Sequence, residues 1–180
     1  LLLPQTLAVL ISMASTIYLT GAFHEDGLAD SADALGGGWE RERILTIMQD
    51  SRLGTYGAVA LFLMLFAKFQ SLNAMNPFII PFALISGHAL SRLISVWLMA
   101  GLRYVRFEGK SKPLATQISG VDMMLAHLFG LAPYVAIVCL LMLSQHNWQL
   151  VAQFILITLL PVLLVWWWWA HKLVRWLGGY

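Results

Sequence analysis

Charge is scarce in this 180-residue chain, at 11% of residues, against about 25% in an average soluble domain. An ordinary soluble domain is thereby excluded. Cysteine is scarcer still: Cys139 stands alone in the apolar stretch 136–143, so neither a disulfide framework nor a thiolate metal site can form. The net charge of +2 comes from scattered basic residues, which leave no electrostatic footprint for nucleic acid. The sequence also lacks an Asn-x-Ser/Thr acceptor, a low-complexity tract and an internal repeat, the last arguing against a duplicated transporter half. Its opening, Leu1-Leu2-Leu3-Pro4, has no Met, basic region or cleavage site. That opening reads as the interior of a longer protein, and its first apolar run is not expected to be a signal peptide.

What is present is hydrocarbon. Apolar residues make up 59% of the chain and mean hydropathy is +0.75, with runs whose length suits a hydrocarbon core of roughly 30 Å. Five spanning helices are expected, near residues 5–21, 53–69, 77–101, 125–143 and 150–170. Residues 1–180 then form a single membrane domain with no room for a separate soluble module. The segments 23–52, 102–123 and the tail after 171 fall on one side. There lie Arg41, Arg43, Arg52, Arg103, Arg106, Lys110, Lys112, Lys172 and Arg175, against Lys68 on the other. The positive-inside rule makes the first side cytoplasmic. Trp166 to Trp169, closing the last span, suit an interfacial anchor, with ligand stacking as the alternative.

The acids are not scattered. Seven of nine lie between Glu25 and Asp50. Within His24-Glu25-Asp26-Gly27-Leu28-Ala29-Asp30-Ser31-Ala32-Asp33, the aspartates stand at i, i+4 and i+7, one face of a helix. Like charges so spaced destabilise a helix by a few tenths of a kcal/mol per pair, and a bound cation is the simplest compensation; a solvated acidic face is the alternative. Carboxylate oxygens without a His/Cys set suit a hard divalent ion rather than zinc. Magnesium usually binds through one or two carboxylates plus substrate phosphates, so the site points to a phosphate ester. His24-Glu25 starts like a zincin motif, but Leu28 fills the second histidine's place, which discards a metalloprotease. Interleaved Gly27, Ala29, Ala32 and Ala34 permit close helix approach. Gly36-Gly37-Gly38 should end the helix, as a hinge or with backbone N–H groups facing a phosphate.

A second element follows: Arg41 and Arg43, then Asp50-Ser51-Arg52-Leu53-Gly54-Thr55-Tyr56-Gly57. Arg52 suits bidentate contact with phosphate oxygens or simple snorkelling. His88 and Arg92 stand one helical turn apart in the third span. An intramembrane arginine needs a partner, which an aspartate of the acidic helix or a substrate phosphate would supply.

The stretch Thr20-Gly21-Ala22-Phe23-His24-Glu25-Asp26-Gly27-Leu28-Ala29-Asp30-Ser31-Ala32-Asp33-Ala34-Leu35-Gly36-Gly37-Gly38, with Arg41-Glu42-Arg43 and Ile47-Met48-Gln49-Asp50-Ser51-Arg52-Leu53-Gly54-Thr55-Tyr56-Gly57, resembles the cobalamin synthase family, the adenosylcobinamide-GDP ribazoletransferases. Weaker agreement continues through Ser91-Arg92, Tyr104, Arg106 and Gly109-Lys110, so the resemblance covers roughly residues 4–115 of the chain. It implies a multi-pass enzyme of the bacterial inner membrane that uses magnesium or another hard divalent cation such as manganese. It also implies transfer of adenosylcobinamide phosphate from its GDP-activated form to α-ribazole or α-ribazole 5′-phosphate, releasing GMP, in the last stage of cobalamin assembly. By that resemblance the chain lacks the family's N-terminal membrane segment and its C-terminal Thr-Gly-Asp element and further span.

The fold expected is thus an all-α polytopic bundle with a cytoplasmic acidic helix at the active site. In the implied reaction a ribose hydroxyl attacks the phosphate bearing cobinamide. Asp26, Asp30 and Asp33, aided by Glu25, are the expected metal ligands. Asp33 or Asp50 would accept the hydroxyl proton, and Arg52 with Arg43, Arg92 or Lys110 would hold phosphates. The expected partners are the nucleotide-activated corrinoid, α-ribazole and the lipid bilayer, with a homo-oligomer left open. Two rivals stand beside this reading: a CDP-alcohol phosphotransferase-like lipid enzyme, whose usual aspartate order is not matched here, and a cation transporter using the aspartates as a permeation site.

Overall fold

The computed structural model describes residues 3–101 and 118–145, together with 148, 149, 152, 163, 164, 167 and 171. The regular structure of the described residues is all helix, with no strand among them. In order the helices are α1 (Gln5–Leu19), α2 (Phe23–Gly37), α3 (Arg41–Ile47), α4 (Thr55–Ala74), α5 (Ile80–Gly101) and α6 (Gly120–Gln145). The chain divides into two compact units, Leu1–Ile80 and Pro81–Tyr180.

Three of the expected spans appear as helices long and apolar enough to cross a membrane: α4, α5 and the part of α6 from Gly120 to Leu140. The first expected span is corrected. With 15 residues, α1 rises only about 22 Å at roughly 1.5 Å per residue, short of the hydrocarbon core. Its path turns by 83° into α2, and the pair qualifies only together, as a broken span or a re-entrant loop. Gly21 and Ala22 make that turn with φ of 61° and 56°, and the left-handed Ala22 costs on the order of 1 kcal/mol. The expected span 150–170 lies almost entirely outside the described residues. So does the tryptophan run except Trp167, which is exposed, with its ring 4.7 Å from that of His171.

In the first unit α2 packs on α3 and α4, and α1 packs on α4. Small residues bring α2 close: Ala29 and Ala34 are buried, while Ile44, only 1% exposed, seats α3. Burying an isoleucine of that kind contributes about 2 kcal/mol. Along α4 the side chains of Val59, Phe62, Leu63 and Phe66 stay exposed, as befits a helix whose outer face meets lipid tails rather than water. Between α1 and α4 runs an apolar groove of about 320 Å³ walled by Leu10, Met13, Ile17, Phe62, Phe66 and Phe69.

In the second unit α5 and α6 touch where Leu93 is buried and Gly130 leaves room for it: a Cβ on Gly130 would lie 2.7 Å from that of Leu93. One turn along, the Trp97 indole donates to His127 Nε2 at 3.0 Å, and His127 Nδ1 lies 2.7 Å from the Met123 carbonyl. A carbonyl only accepts, so the ring carries its proton on Nδ1.

Candidate functional site

The acidic stretch forms a helix, α2, and the triple glycine ends it: Gly37 is its last residue and Gly38 is extended. The three aspartates of the stripe differ in setting. Asp26 is exposed, while Asp30 and Asp33 are half-buried. Asp33 reaches the start of α4. Its Oδ2 accepts the backbone N–H of Gly54 and its Oδ1 that of Gly57, each at 2.8 Å. Those groups belong to the N-cap and third residues of α4, two of the donors that a helix start leaves without an internal partner. A carboxylate there also meets the positive end of the helix dipole.

Glycine at both positions is a matter of space. A Cβ on Gly54 would fall 2.8 Å from the Asp33 carboxyl carbon, and one on Gly57 would fall 3.0 Å from it and 3.0 Å from the Ala29 carbonyl oxygen. A further close approach comes one turn along α2. A Cβ on Gly36 would sit 2.6 Å from the Tyr56 ring, so part of the triple glycine serves packing against α4.

Just before α4 lies an ion pair. Arg52 donates from Nη2 to Asp50 Oδ2 at 2.6 Å, from Nε to both oxygens at 3.0 and 3.1 Å, and from its backbone N–H to Oδ1 at 3.1 Å. The Arg52 guanidinium, with smaller help from its backbone N–H and from Arg43, holds the Asp50 carboxyl well below the usual range, at about 2. The Arg52 side chain remains 87% exposed. Asp50 occupies its Nε and Nη2 edge, which leaves the Nη1 edge open to a phosphate oxygen.

Gly54 ties α2 and this ion pair together. Arg52 is two residues from it, so their Cα atoms lie within about 7 Å. Asp33 and the Arg52 segment therefore share one end of α4. Arg43 is exposed on α3, and Arg92 and His88 are exposed on α5 in the second unit. Lys110 lies outside the described residues.

Whether these residues suit a divalent ion turns on donor chemistry. Among the described residues no three His, Cys, Asp or Glu side chains gather into a ready cage. Magnesium seldom asks for one, because it keeps waters and takes substrate phosphates. Glu25 Oε2 is buried with no hydrogen-bond partner among the described residues, a costly state for an anionic oxygen. With Asp26 and Asp30 it offers hard oxygens, so the donor chemistry suits such an ion although the three side chains are not gathered around one point.

The sequence pattern did not disclose the Asp33 contact, although two glycines three apart at a helix start, bare of any capping side chain, are its signal. Neither did it disclose Gln5, whose amide donates to the carbonyls of Asn73 and Met75 at 3.1 and 2.9 Å and so covers the far end of α4.

Helices suited to membrane crossing, an acidic helix fastened to the start of one of them, and an arginine beside it define a multi-pass membrane protein with a polar site at a helix end. All 180 residues match the cobalamin-5-phosphate synthase family, and the chain belongs to it. Among curated relatives, an adenosylcobinamide-GDP ribazoletransferase of Ralstonia pickettii is 47% identical over 131 residues, covering 72% of this chain and 51% of its own. One of Shewanella frigidimarina is 48% identical over 120 residues, covering 64% and 46% respectively. One of Shewanella halifaxensis is 41% identical over 156 residues, covering 79% and 60%. The chain thus spans about half the length of the first two relatives. No solved structure matches.

Proposed function

We propose that the protein carrying this chain is a magnesium-dependent transferase of the bacterial inner membrane, working at its cytoplasmic face. It joins adenosylcobinamide-GDP to α-ribazole, or α-ribazole 5′-phosphate, and releases GMP. The observation that carries this reading is the start of α4, where the Asp33 carboxylate of α2 holds the Gly54 N–H two residues after the Asp50–Arg52 ion pair, in a chain matched along its whole length by the cobalamin-5-phosphate synthase family. Relatives bearing the ribazoletransferase name support the choice of substrates. The nine basic residues on one side against Lys68 on the other support the cytoplasmic face, where a polar nucleotide would be met.

Transfer between phosphates asks for positioning and charge neutralisation. Asp26 and Asp30, with Glu25, would hold the divalent ion, which when bound neutralises charge on the phosphate oxygens. Arg52 takes a phosphate oxygen on its open edge, with Arg43 as a further phosphate contact. Asp50, held at about 2 by Arg52, is a weak proton acceptor at neutral pH. Its part is to aim the guanidinium. The attacking hydroxyl passes its proton to a carboxylate on the α2 face.

The test uses purified full-length protein with adenosylcobinamide-GDP, α-ribazole and magnesium. GMP release is expected, and Asp26→Asn and Asp30→Asn should each cut it to a small residual rate while the helical content stays unchanged. A phospholipid product in place of a corrinoid would point to the alcohol phosphotransferase chemistry instead. Cation flux in proteoliposomes without any nucleotide requirement would point to transport.

A further inference from the structure

We infer that Asp33, although it belongs to the acidic stripe, is a positioning residue: it fixes the register of α2 on α4, and with it the place of Asp26 and Asp30 relative to the start of α4. The inference rests on the transferase reading for its kinetic consequence and on geometry alone for its structural one. Both oxygens of the Asp33 carboxylate are engaged, one by each of two backbone N–H groups, so the carboxylate is held in one orientation against the start of α4.

The contact is built for fixing. A capping box normally pairs the N-cap and third residues of one helix with each other's side chains. In α4 both positions are glycine, and a single carboxylate 21 and 24 residues earlier in the chain serves both donors. The two bonds stop α2 from sliding or turning about that point. One turn further on, the Tyr56 ring fills the space above Gly36, a second point of registry. Two fixed points on one helix determine where the rest of it goes. Asp30 and Asp26 stand three and seven residues before Asp33, about 4.5 and 10.5 Å back along the axis, and Arg52 is two residues before Gly54.

The test uses the full-length protein in nanodiscs. Spin labels at Ser31→Cys and Ser51→Cys in a Cys139→Ser background report the spacing of α2 from the Arg52 segment without substrate or metal. A single narrow distance distribution is expected, and Asp33→Asn should broaden it. Gly57→Ala, which keeps the carboxylate but pushes it off the N–H pair, should broaden it likewise. In steady-state kinetics both variants should lose kcat about tenfold or more, the scale of one charge-assisted hydrogen bond. The magnesium concentration for half-maximal rate should stay within about threefold of the parent, whereas Asp26→Asn at partial activity should shift it. Distance distributions unchanged by both variants would overturn the inference. So would a magnesium shift in Asp33→Asn as large as in Asp26→Asn, with Gly57→Ala harmless. If the parent releases no GMP at all, the transferase reading fails, and the distance arm alone decides for or against the registry.

Discussion

Two helix starts in this chain solve one problem differently. At α6 the solution is local. Ser119 and Asp122 form a capping box, with the Ser119 N–H donating to Asp122 Oδ2 at 2.9 Å and the Asp122 N–H to Ser119 Oγ at 3.2 Å. At α4 neither partner is local, and Asp33 comes from another helix. The local box forms whenever α6 forms. The distant one requires α2 and α4 to be packed in one register, so a helix end becomes a sensor of tertiary structure. Gln5 extends the pattern to the other end of α4, with an amide donor where carbonyls are left over.

The difference should appear most strongly in Asp33→Ala. Two N–H groups lose a charged partner at once, at about 1.5–3 kcal/mol for one such bond. The first unit should lose on the order of 3 kcal/mol, read as faster amide exchange through both α2 and α4. Exchange confined to the first turn of α4 would mean that the carboxylate caps without fastening. Gly57→Ala should cost about 1–3 kcal/mol by overpacking and spread in the same way.

Ser119→Ala is the matched control. Loss of a serine cap costs about 1 kcal/mol, and faster exchange should stay within the first turn of α6. If it spread along α5 as well, the contrast between local and distant capping would collapse.

How much of this the sequence disclosed follows the same division. Features carried by near neighbours were legible: the helix through Asp26, Asp30 and Asp33, its end at the triple glycine, and the apolar runs of α4, α5 and α6. The box at Ser119 and Asp122 is equally local, with the three-residue spacing of its kind. Features carried by distant pairs were not legible. Periodicity placed Asp33 on a face with its fellows, yet it cannot show that Gly54 and Gly57 lie against that face. It also gave α1 a full span, because no charged residue interrupts the mainly apolar run through Gly21. Only the left-handed pair Gly21 and Ala22 reveals the 83° turn. Gly36 in sequence suits a hinge or a phosphate contact, whereas its packing under Tyr56 depends on a helix that begins 19 residues later.

Asp50 and Arg52 give the weakest and most local case. Two residues apart and open to solvent, they tie only their own short segment. The Asp50 carboxyl titrates at about 2 against an ordinary 3.8. A carboxyl lowered on folding contributes stability that is present above its ordinary value and lost as pH falls through the folded one. The contribution should therefore fade between about pH 4 and pH 2 and be small, since exposed pairs are strongly screened. In Arg52→Gln the Asp50 carboxyl should return toward 3.8, followed by the carbon shift of its carboxylate in NMR. Stability curves of parent and variant should run parallel above pH 4 and draw together toward pH 2. High salt should shrink their separation. A gap that persisted below pH 2 would mean that Arg52 holds the segment through contacts other than the ion pair, and that its guanidinium is less free for a phosphate than its exposure suggests.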